Sequence, residues 1–254
     1  MTIEFLGTGT STGVPQIGCN CEVCKSDDLK DRRLRTSALV SVDRINLLLD
    51  CGPDFREQIL RSVNKNIDAL LVTHSHYDHV GGVDDLRPFC AKSKGGAFPI
   101  YARFDVLNDL RNRLPYCFKE HPYPGVPKFA LHEIEDEPFS IKGVTIIPLP
   151  VMHAKLLING YRINNMAYIT DAKTISEETL DKIKGVDTLI INSLRIKPHM
   201  SHMCLEETLD VINKVAPRVA YLIHMSHDMG LHKQVSERLP KDVHLAYDGM
   251  IIAL

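Results

Sequence analysis

The amino-acid sequence predicts an α/β sandwich, in which strands alternate with helices in both halves of the chain. The chain has 254 residues, of which 44% are hydrophobic, enough for a substantial core. Short apolar runs alternate with amphipathic stretches, and some runs lie close enough together to form hairpin-like pairs. Because no linker is long or polar enough to mark a boundary, we expect residues 1–254 to form a single domain.

The first half of the chain contains four strand-like runs and three helix-like stretches. Strands are expected at Thr2–Gly7, Thr36–Val42, Ile45–Leu49 and Ile67–Val72, and helices at Pro53–Val63, from near Asp78, and at Phe104–Leu114. We expect the turn Asp50-Cys51-Gly52 to cap the first helix. The stretch Pro115–Pro127 is rich in proline and aromatic residues and predicts a loop.

The second half of the chain is similar in kind, although no sequence repeat links the two halves. Strands are expected near Thr145, Met166, Thr188 and Val219, and helices at Ile175–Ile183, Cys204–Lys214 and His232–Arg238.

Composition and charge narrow the classes of function. A net charge of −2 and a pI of about 6.6 give no general attraction to nucleic acid. The chain opens on a strand-like segment instead of a secretory signal, so we expect its seven cysteines to be reduced and the protein to be cytoplasmic. No apolar stretch approaches the length that spans a bilayer, so no membrane partner is expected.

The segment Thr73–His79 carries the strongest functional signal. His74, His76, Asp78 and His79 follow directly on an apolar run, where a buried strand is expected to end. Imidazole nitrogens and carboxylate oxygens are ligands of catalytic divalent metals. Four such groups in one tight turn cannot all bind one metal and leave it an open position, so the pattern favours two adjacent metals. The alternative is a solvated, histidine-rich turn.

A second cluster lies near the start of the chain, where Cys19, Cys21 and Cys24 fall within six residues. Thiolates at this spacing are typical of a structural zinc, which needs four ligands. His227, three residues after His224, is the candidate for the fourth. Such a zinc would hold the N-terminal loop against the strand end that carries His224. A redox pair and simple reduced thiols are the alternatives.

The pattern His74-x-His76-x-Asp78-His79 resembles the signature of the metallo-β-lactamase-fold hydrolases. The resemblance implies a four-layer αββα sandwich and two divalent metals, zinc or manganese. It implies that His74, His76 and His153 bind one metal, that Asp78, His79 and His224 bind the other, and that Asp171 bridges them. His153, Asp171 and His224 each follow an apolar run, as those ligands do in the family.

The cysteine cluster, together with His224 and His227, resembles one subgroup of that superfamily. This subgroup contains the cyclic phosphodiesterases of phosphonate breakdown, which open phosphoribosyl 1,2-cyclic phosphate. The stretches Met1–Ser11, Gly81–Pro88 and Pro198–His202 resemble the same branch, and the resemblance covers nearly the whole chain. The branch also includes the pyrroloquinoline-quinone biosynthesis protein B group.

The resemblance predicts a phosphodiesterase that hydrolyses a small cyclic phosphodiester, of the phosphoribosyl cyclic phosphate or cyclic nucleotide type. A hydroxide that bridges two metals would be the nucleophile. Asp78 could steer the nucleophile or shuttle a proton. His202 is the candidate general acid for the leaving alkoxide, and the alternative is a histidine that only supports a ligand or lies at the surface. Arg195 could contact phosphate or be an ordinary surface charge.

Two other functions remain open at the level of sequence. One is an RNA-processing nuclease of the tRNA 3′-end type, although no glycine-rich basic arm for docking tRNA is present. The other is a non-hydrolytic accessory protein of cofactor biosynthesis on the same fold. The expected partner is a small phosphorylated substrate. Nucleic acid is not expected, and a homodimer is left open.

Overall fold

The computed structural model describes residues 1–93, 96–121 and 123–254, and these residues form two β-sheets packed face to face. The first sheet has seven strands. They are β1 (Thr2–Gly7), β2 (Ser37–Val42), β3 (Ile45–Leu49), β4 (Ala69–Leu71), β5 (Phe98–Ala102), β6 (Phe129–Glu133) and β15 (Ile251–Ala253). The second sheet has eight strands. They are β7 (Phe139–Ile141), β8 (Val144–His153), β9 (Leu156–Ile163), β10 (Met166–Ile169), β11 (Thr174–Ile175), β12 (Thr188–Asn192), β13 (Val219–Ile223) and β14 (Val243–Leu245).

The two sheets share one topology. The first has the order β15-β1-β2-β3-β4-β5-β6, and the second has the order β11-β8-β9-β10-β12-β13-β14, with β7 beside β8. In each of these orders the first three neighbouring pairs, which end at β3 in the first sheet and at β10 in the second, are antiparallel. The last three pairs of each order are parallel. As a result β3, β4, β8, β10 and β13 all end at comparable edges of their sheets.

Seven α-helices of the described ranges cover the outer faces of the sheets. They are α1 (Phe55–Arg61), α2 (Tyr77–Val80), α3 (Arg87–Cys90), α4 (Phe104–Arg113), α5 (Glu177–Ile183), α6 (Leu205–Val215) and α7 (His232–Ser236). Short 3₁₀ helices lie at Val23–Lys25, Leu29–Asp31, Val83–Leu86, Pro115–Phe118 and His227–Met229.

Three apolar clusters separate four layers. The central cluster lies between the sheets and contains Phe5 and Leu71 of the first sheet with Tyr161 and Tyr168 of the second. A second cluster joins the outer face of the second sheet to α5, α6 and α7, and a third joins the first sheet to α1, α3 and α4. This arrangement confirms the predicted αββα sandwich. Burial of continuous apolar strands on both faces explains why runs such as Ile45–Leu49 do not alternate with polar residues.

Local signals in the sequence fix the ends of the helices. At the start of α5, the Ser176 side chain accepts a hydrogen bond from Thr179 N–H at 3.2 Å. At the start of α6, the Glu207 carboxylate accepts from Cys204 N–H at 2.9 Å. Among the described residues, no helix is long and apolar enough to cross a membrane.

Several expected elements agree closely with the structure, and others differ. The strands at Thr2–Gly7 and Ile45–Leu49 have the expected bounds. The stretch from Pro115 begins with a 3₁₀ helix and not with a plain loop, and Pro122 lies outside the described residues. The sequence did not predict the strands β5, β6, β7, β9, β11, β14 and β15, and Ile175, expected to begin a helix, lies in β11. Asp50 does not cap α1, whose first turn follows Asp54.

Candidate metal centre

The predicted ligands lie together because strands end at one edge of the sandwich. β4 leads into His74, and the short helix α2 then carries Asp78 and His79. His153 ends β8, while Asp171 and His224 follow β10 and β13. Asp171 and His224 both have left-handed backbone, with φ of 58°. Such a conformation is uncommon outside glycine and gathers at functional sites, and here it turns the chain sharply at the strand end.

The seven predicted ligands form two groups, of three and of four residues, and Asp171 of the second group also faces the first. One group contains His74, His76 and His153, and the other contains Asp78, His79, Asp171 and His224; in each group the ligand atoms lie within 4.8 Å of one another. In the first group, His74 Nε2 and His76 Nδ1 are 3.0 Å apart.

Asp171 lies between the two groups. Its Oδ1 is 3.0 Å from His224 Nδ1 and 3.4 Å from His79 Nε2, while its Oδ2 is 3.9 Å from His74 Nε2. One carboxylate oxygen therefore faces each group, and the side chain is almost fully buried.

Four histidines each have one ring nitrogen committed to the protein. His74 Nδ1 bonds to Thr73 Oγ1 at 3.0 Å, His79 Nδ1 to Asp50 Oδ2 at 2.7 Å, His153 Nδ1 to the Ser201 carbonyl at 2.8 Å, and His224 Nε2 to Thr10 Oγ1 at 3.2 Å. These bonds fix the tautomer and orientation of each ring, so that the other nitrogen presents its lone pair to the centre.

The donor atoms fit divalent metals. His79 Nε2 is buried, has no hydrogen-bond partner among the described residues, and lies 3.2 Å from Asp78 Oδ2 and 3.4 Å from Asp171 Oδ1. Burial alone would lower the pKa of His79, but the carboxylates of Asp171, Asp50 and Asp78 raise that pKa well above its ordinary value. The surplus negative charge around this nitrogen is what a bound cation would neutralise.

Three supporting groups were missed at the level of sequence. The Asp50 carboxylate accepts from Thr73 N–H at 2.8 Å and from Thr73 Oγ1 at 2.9 Å, besides holding His79. Asn192 holds the residue after Asp171, since its side chain pairs with Ala172 N–H and C=O at 2.8 and 2.9 Å. Thr10 supports His224. Asp50 directly follows a buried strand, and this same pattern singled out Asp171.

His202 lies beside both groups. Its ring centroid is 4.5 Å from that of His153 and 5.0 Å from that of His224, and its Nδ1 is 3.8 Å from Asp171 Oδ2. That nitrogen is buried without a hydrogen-bond partner in the described part of the chain. Burial and the neighbouring His224 lower the pKa of His202 to about 3, although the Asp171 carboxylate opposes this shift, so the ring is neutral at pH 7.

Arg195 and the stretch from Pro115 do not point at the centre. The Arg195 guanidinium contacts carbonyls of its own loop and the Asp228 carboxylate. The stretch from Pro115 packs on the segment after α2, where Tyr116 donates to Asp84 Oδ1 at 2.6 Å and Arg87 donates to the Gly125 carbonyl at 2.7 Å.

The cysteine cluster forms a separate group at the surface. The sulfur atoms of Cys19, Cys21 and Cys24 lie 3.2, 3.3 and 3.5 Å from His227 Nδ1. A hydrogen bond from Cys24 N–H to the Cys21 sulfur is the main reason why the pKa of the Cys21 thiol falls to about 6. Three sulfurs and one imidazole nitrogen that converge from distant parts of the chain fit a tetrahedral zinc.

Comparison with known proteins agrees with this geometry. Residues 45–225 match the family model described as the beta-lactamase superfamily domain. All seven ligands of the central site lie inside that range, whereas Cys19, Cys21, Cys24 and His227 lie outside it. The central site is therefore within the part of the chain that matches the superfamily model, and the cysteine cluster lies outside that part.

Individual relatives and structures resemble the chain over different lengths. A crystal structure of a diphosphatase from the PhnP family superposes with a TM-score of 0.92 at 38% identity and covers 100% of this chain and 97% of that one. Zinc-bound PqqB from Methylobacterium extorquens superposes with a TM-score of 0.79 at 21% identity, with full coverage of both chains. An octanoyltransferase of Porphyromonas gingivalis is 45% identical over 98% of this chain, which spans only 51% of that relative's length.

Proposed function

This chain belongs to the β-lactamase superfamily and is a metal-dependent hydrolase; from that premise we propose that it is a dinuclear phosphodiesterase acting on a small cyclic phosphodiester. The observation that carries the proposal is Asp171, whose two carboxylate oxygens each face one group of ligands. The PhnP-family diphosphatase supports phosphorus chemistry, since it shares 38% of its residues with this chain along its whole length.

We propose that His74, His76 and His153 hold one metal, that Asp78, His79 and His224 hold the other, and that Asp171 binds both. Bound divalent metals would supply Lewis acidity and a nucleophile at neutral pH. Zinc and manganese both suit nitrogen and oxygen ligands, and the choice between them stays a prediction. We assign a structural zinc to Cys19, Cys21, Cys24 and His227.

The protein's own residues then account for orientation and proton transfer. In ring opening, water gives up one proton as its oxygen bonds to phosphorus, the bond from phosphorus to one ring oxygen breaks, and that oxygen takes up one proton, so one water is added in all. We assign this proton to His202, because its Nδ1 lies 3.8 Å from Asp171 Oδ2 and has no hydrogen-bond partner among the described residues. Its pKa of about 3 leaves it neutral in the free protein, so an anionic phosphate beside it is needed to favour the protonated ring. We propose that Asp78, whose carboxylate lies 3.2 Å from His79 Nε2, orients the attacking water or shuttles a proton.

A diphosphate is the second candidate substrate. The PhnP-family structure is named a diphosphatase, and this name favours a diphosphate substrate. That structure is 38% identical to this chain, and the match covers nearly the whole of both chains. Octanoyl transfer is not carried over, since the protein with that name is about twice as long as this chain. The expected partner is a small phosphorylated molecule, and a homodimer and a cytoplasmic location stay predictions.

Phosphorus NMR of the metal-loaded protein tests the proposal. The panel contains phosphoribosyl 1,2-cyclic phosphate, a 2′,3′-cyclic nucleotide, a dinucleoside diphosphate and a short RNA, each also incubated with Asp171→Ala as the control for contaminating activity. Ring opening by the wild type alone supports the cyclic phosphodiesterase, and cleavage of the diphosphate alone supports the second candidate. Cleavage of RNA alone would favour the nuclease, and inactivity on all four with metals bound would favour the accessory protein.

The proposed role of His202 as general acid is tested by comparing substrates whose leaving groups differ in basicity. A general acid contributes about 10²- to 10⁴-fold, and chiefly when the leaving oxygen is basic. His202→Ala should therefore slow the opening of an alkyl cyclic phosphate much more than the hydrolysis of bis(p-nitrophenyl) phosphate, whose leaving group needs no proton. His244→Ala, at an exposed position on β14, is the matched control. Equal losses on both substrates would remove His202 from the acid role.

A further inference from the structure

We propose that Arg195 is a positioning residue, which holds the loop Arg195–Cys204 in the conformation that supports His153 and His202. We call these ten residues the active-site loop. The kinetic part of this inference rests on the proposed function, whereas its structural part does not.

The active-site loop is tied at its two ends. Leu194 N–H donates to the Met203 carbonyl at 3.0 Å, and Leu205 N–H donates to the Arg195 carbonyl at 2.9 Å. Between these ties the loop buries little apolar surface, since Ile196 is 48% exposed and Met200 is 84% exposed. Hydrophobic packing therefore cannot fix the middle of the loop, and hydrogen bonds have to do so.

The Arg195 side chain supplies two of those hydrogen bonds, and His199 Nδ1 accepts another from Ser201 N–H at 3.3 Å. Its Nε donates to the Lys197 carbonyl at 3.2 Å, and its Nη2 donates to the Pro198 carbonyl at 2.8 Å. Its Nη1 lies 3.6 Å from the Asp228 carboxylate, next to His227 of the cysteine cluster. All three guanidinium nitrogens are thus directed at the protein. The planar fork of arginine suits two neighbouring carbonyls, a geometry that the single ammonium of lysine cannot reproduce.

The loop residues that follow the carbonyls held by Arg195 deliver two groups to the metal centre. The Ser201 carbonyl accepts from His153 Nδ1 at 2.8 Å and so sets the orientation of that ligand. His202 follows directly, with its Nδ1 3.8 Å from Asp171 Oδ2. A shift of the loop would move the Ser201 carbonyl and the His202 ring together. Arg195 therefore acts on the centre through the loop and not through substrate.

The alternative role for Arg195 is a direct contact to substrate phosphate, and the two roles make opposite predictions. A phosphate contact would raise KM when lost and would be largely kept by lysine. A positioning role would lower kcat, leave KM nearly unchanged and not be rescued by lysine, because lysine keeps the charge but not the fork.

The test compares Arg195→Ala and Arg195→Lys with Lys197→Ala and Asp228→Asn. Lys197→Ala removes a cation from the same loop but keeps the carbonyl contacts, and Asp228→Asn removes only the ion pair. Amide hydrogen exchange of residues 196–203, cobalt affinity with its visible spectrum, and kinetics on the phosphodiester found active are measured for each.

In both Arg195 variants, exchange of residues 196–203 should accelerate by about tenfold. The cobalt spectrum should change with the altered environment of His153, and kcat should fall by about 10²-fold, the scale of a misplaced catalytic group. Lys197→Ala should leave all three readouts near wild type, and Asp228→Asn should have a small effect.

Unchanged exchange and spectrum in Arg195→Ala, with a raised KM that Arg195→Lys restores, would overturn the proposal in favour of a phosphate contact. Failure of the proposed function would show instead as absence of hydrolysis by the wild type. The exchange and cobalt readouts would still decide the role of Arg195 in that case.

Discussion

The two halves of the sandwich place an aspartate at the same point of their shared topology. Asp50 follows β3 and Asp171 follows β10, and each of these strands is the first of the parallel strands in its sheet. Both residues have left-handed backbone, with φ of 60° and 58°, and both side chains are buried. Equal backbone geometry has nevertheless produced two different roles.

The difference lies in the partners that the surrounding chain provides. Thr73 and His79 give the Asp50 carboxylate three hydrogen bonds between 2.7 and 2.9 Å. The negative charge of Asp50 is therefore stabilised by donors of the protein itself. Asp171 instead directs its two oxygens toward two groups of histidines. Asp50 is therefore a positioning group. Asp171 accepts a hydrogen bond from Thr170 Oγ1 but also faces the ring nitrogens of His79 and His224, so it is a candidate metal ligand.

Removal of Asp171 should have the largest effect. Asp171→Ala should abolish turnover, because it removes the oxygens that face both ligand groups. His76→Ala should do the same by removing a ligand of one group. Turnover and metal content of the metal-loaded variants check this prediction, and wild-type turnover in either variant would contradict the two-metal proposal.

Asp50→Asn should have an intermediate effect. An asparagine amide has only one oxygen, so it cannot accept all the hydrogen bonds that the carboxylate accepts from Thr73 and His79. The His79 ring would then be held less firmly in its orientation toward the centre. Loss of such a supporting group costs about 10- to 100-fold in metal affinity, and turnover should partly recover at high metal concentration. Affinity is measured by competition with a chelator.

Asp68→Asn is the matched control for this variant. Asp68 precedes β4 at the far end of the strand, where it pairs with Lys142 and with Asn46 N–H. The Asp68→Asn variant should bind metal at the centre with the same affinity as the wild type. Equal affinity in Asp50→Asn as well would mean that Asp50 does not support the centre.

The cysteine cluster joins the two halves, because Cys19, Cys21 and Cys24 of the N-terminal loop meet His227, which lies three residues beyond His224. Cys21→Ser should remove about one zinc per chain and lower the melting temperature, while the centre keeps its own metals. Metal analysis and thermal unfolding measure both. Cys117→Ser, a buried thiol away from the cluster, should keep its zinc; unchanged zinc in Cys21→Ser would reject the site.

The smallest expected effect is a change in the pH dependence of stability, and it arises at the contact between Arg33 and the second half of the chain. Arg33, which follows the cysteine cluster, donates to the Ala246 carbonyl and lies 3.1 Å from His232 Nδ1. Burial, followed by the charge of Arg33, lowers the pKa of His232 from 6.5 to about 4. Between pH 6.5 and 4 the unfolded chain therefore binds a proton that the folded chain does not, and the free energy of unfolding falls as the pH falls.

His232→Asn keeps an acceptor near Arg33 but removes this titration. Its free energy of unfolding should depend less steeply on pH than that of the wild type, by at most about 1.4 kcal/mol per pH unit. Asp248, in the same network, has its pKa raised to about 6 by burial and contributes the opposite slope in both proteins. Urea unfolding at several pH values measures the difference. His244→Asn is the control, and a slope equal to wild type in His232→Asn would contradict the assignment.

The central ligands were accessible to sequence reasoning because each follows a recognisable apolar run. His74, His76, Asp78 and His79 also lie within six residues, so their proximity is local. Asp50 has the same signal but was interpreted as a helix cap, since a carboxylate before a helix serves either role. Thr10 and Asn192 carry no signal at all, because their partners His224 and Ala172 lie 214 and 20 residues away.

The sequence by itself determined the residue types of the site and the strands that carry them, because burial of apolar runs and the chemistry of metal ligands leave local patterns. Only the tertiary structure decided which nitrogen of each histidine faces the centre, that Asp171 turns one oxygen to each group, and that Arg195 holds a loop. Several of these features depend on hydrogen bonds between residues far apart in the chain, such as those of His224 with Thr10 and of His153 with Ser201, which need the packed sheets. The bonds of Arg195 are local, but their direction is set by the fold of its loop.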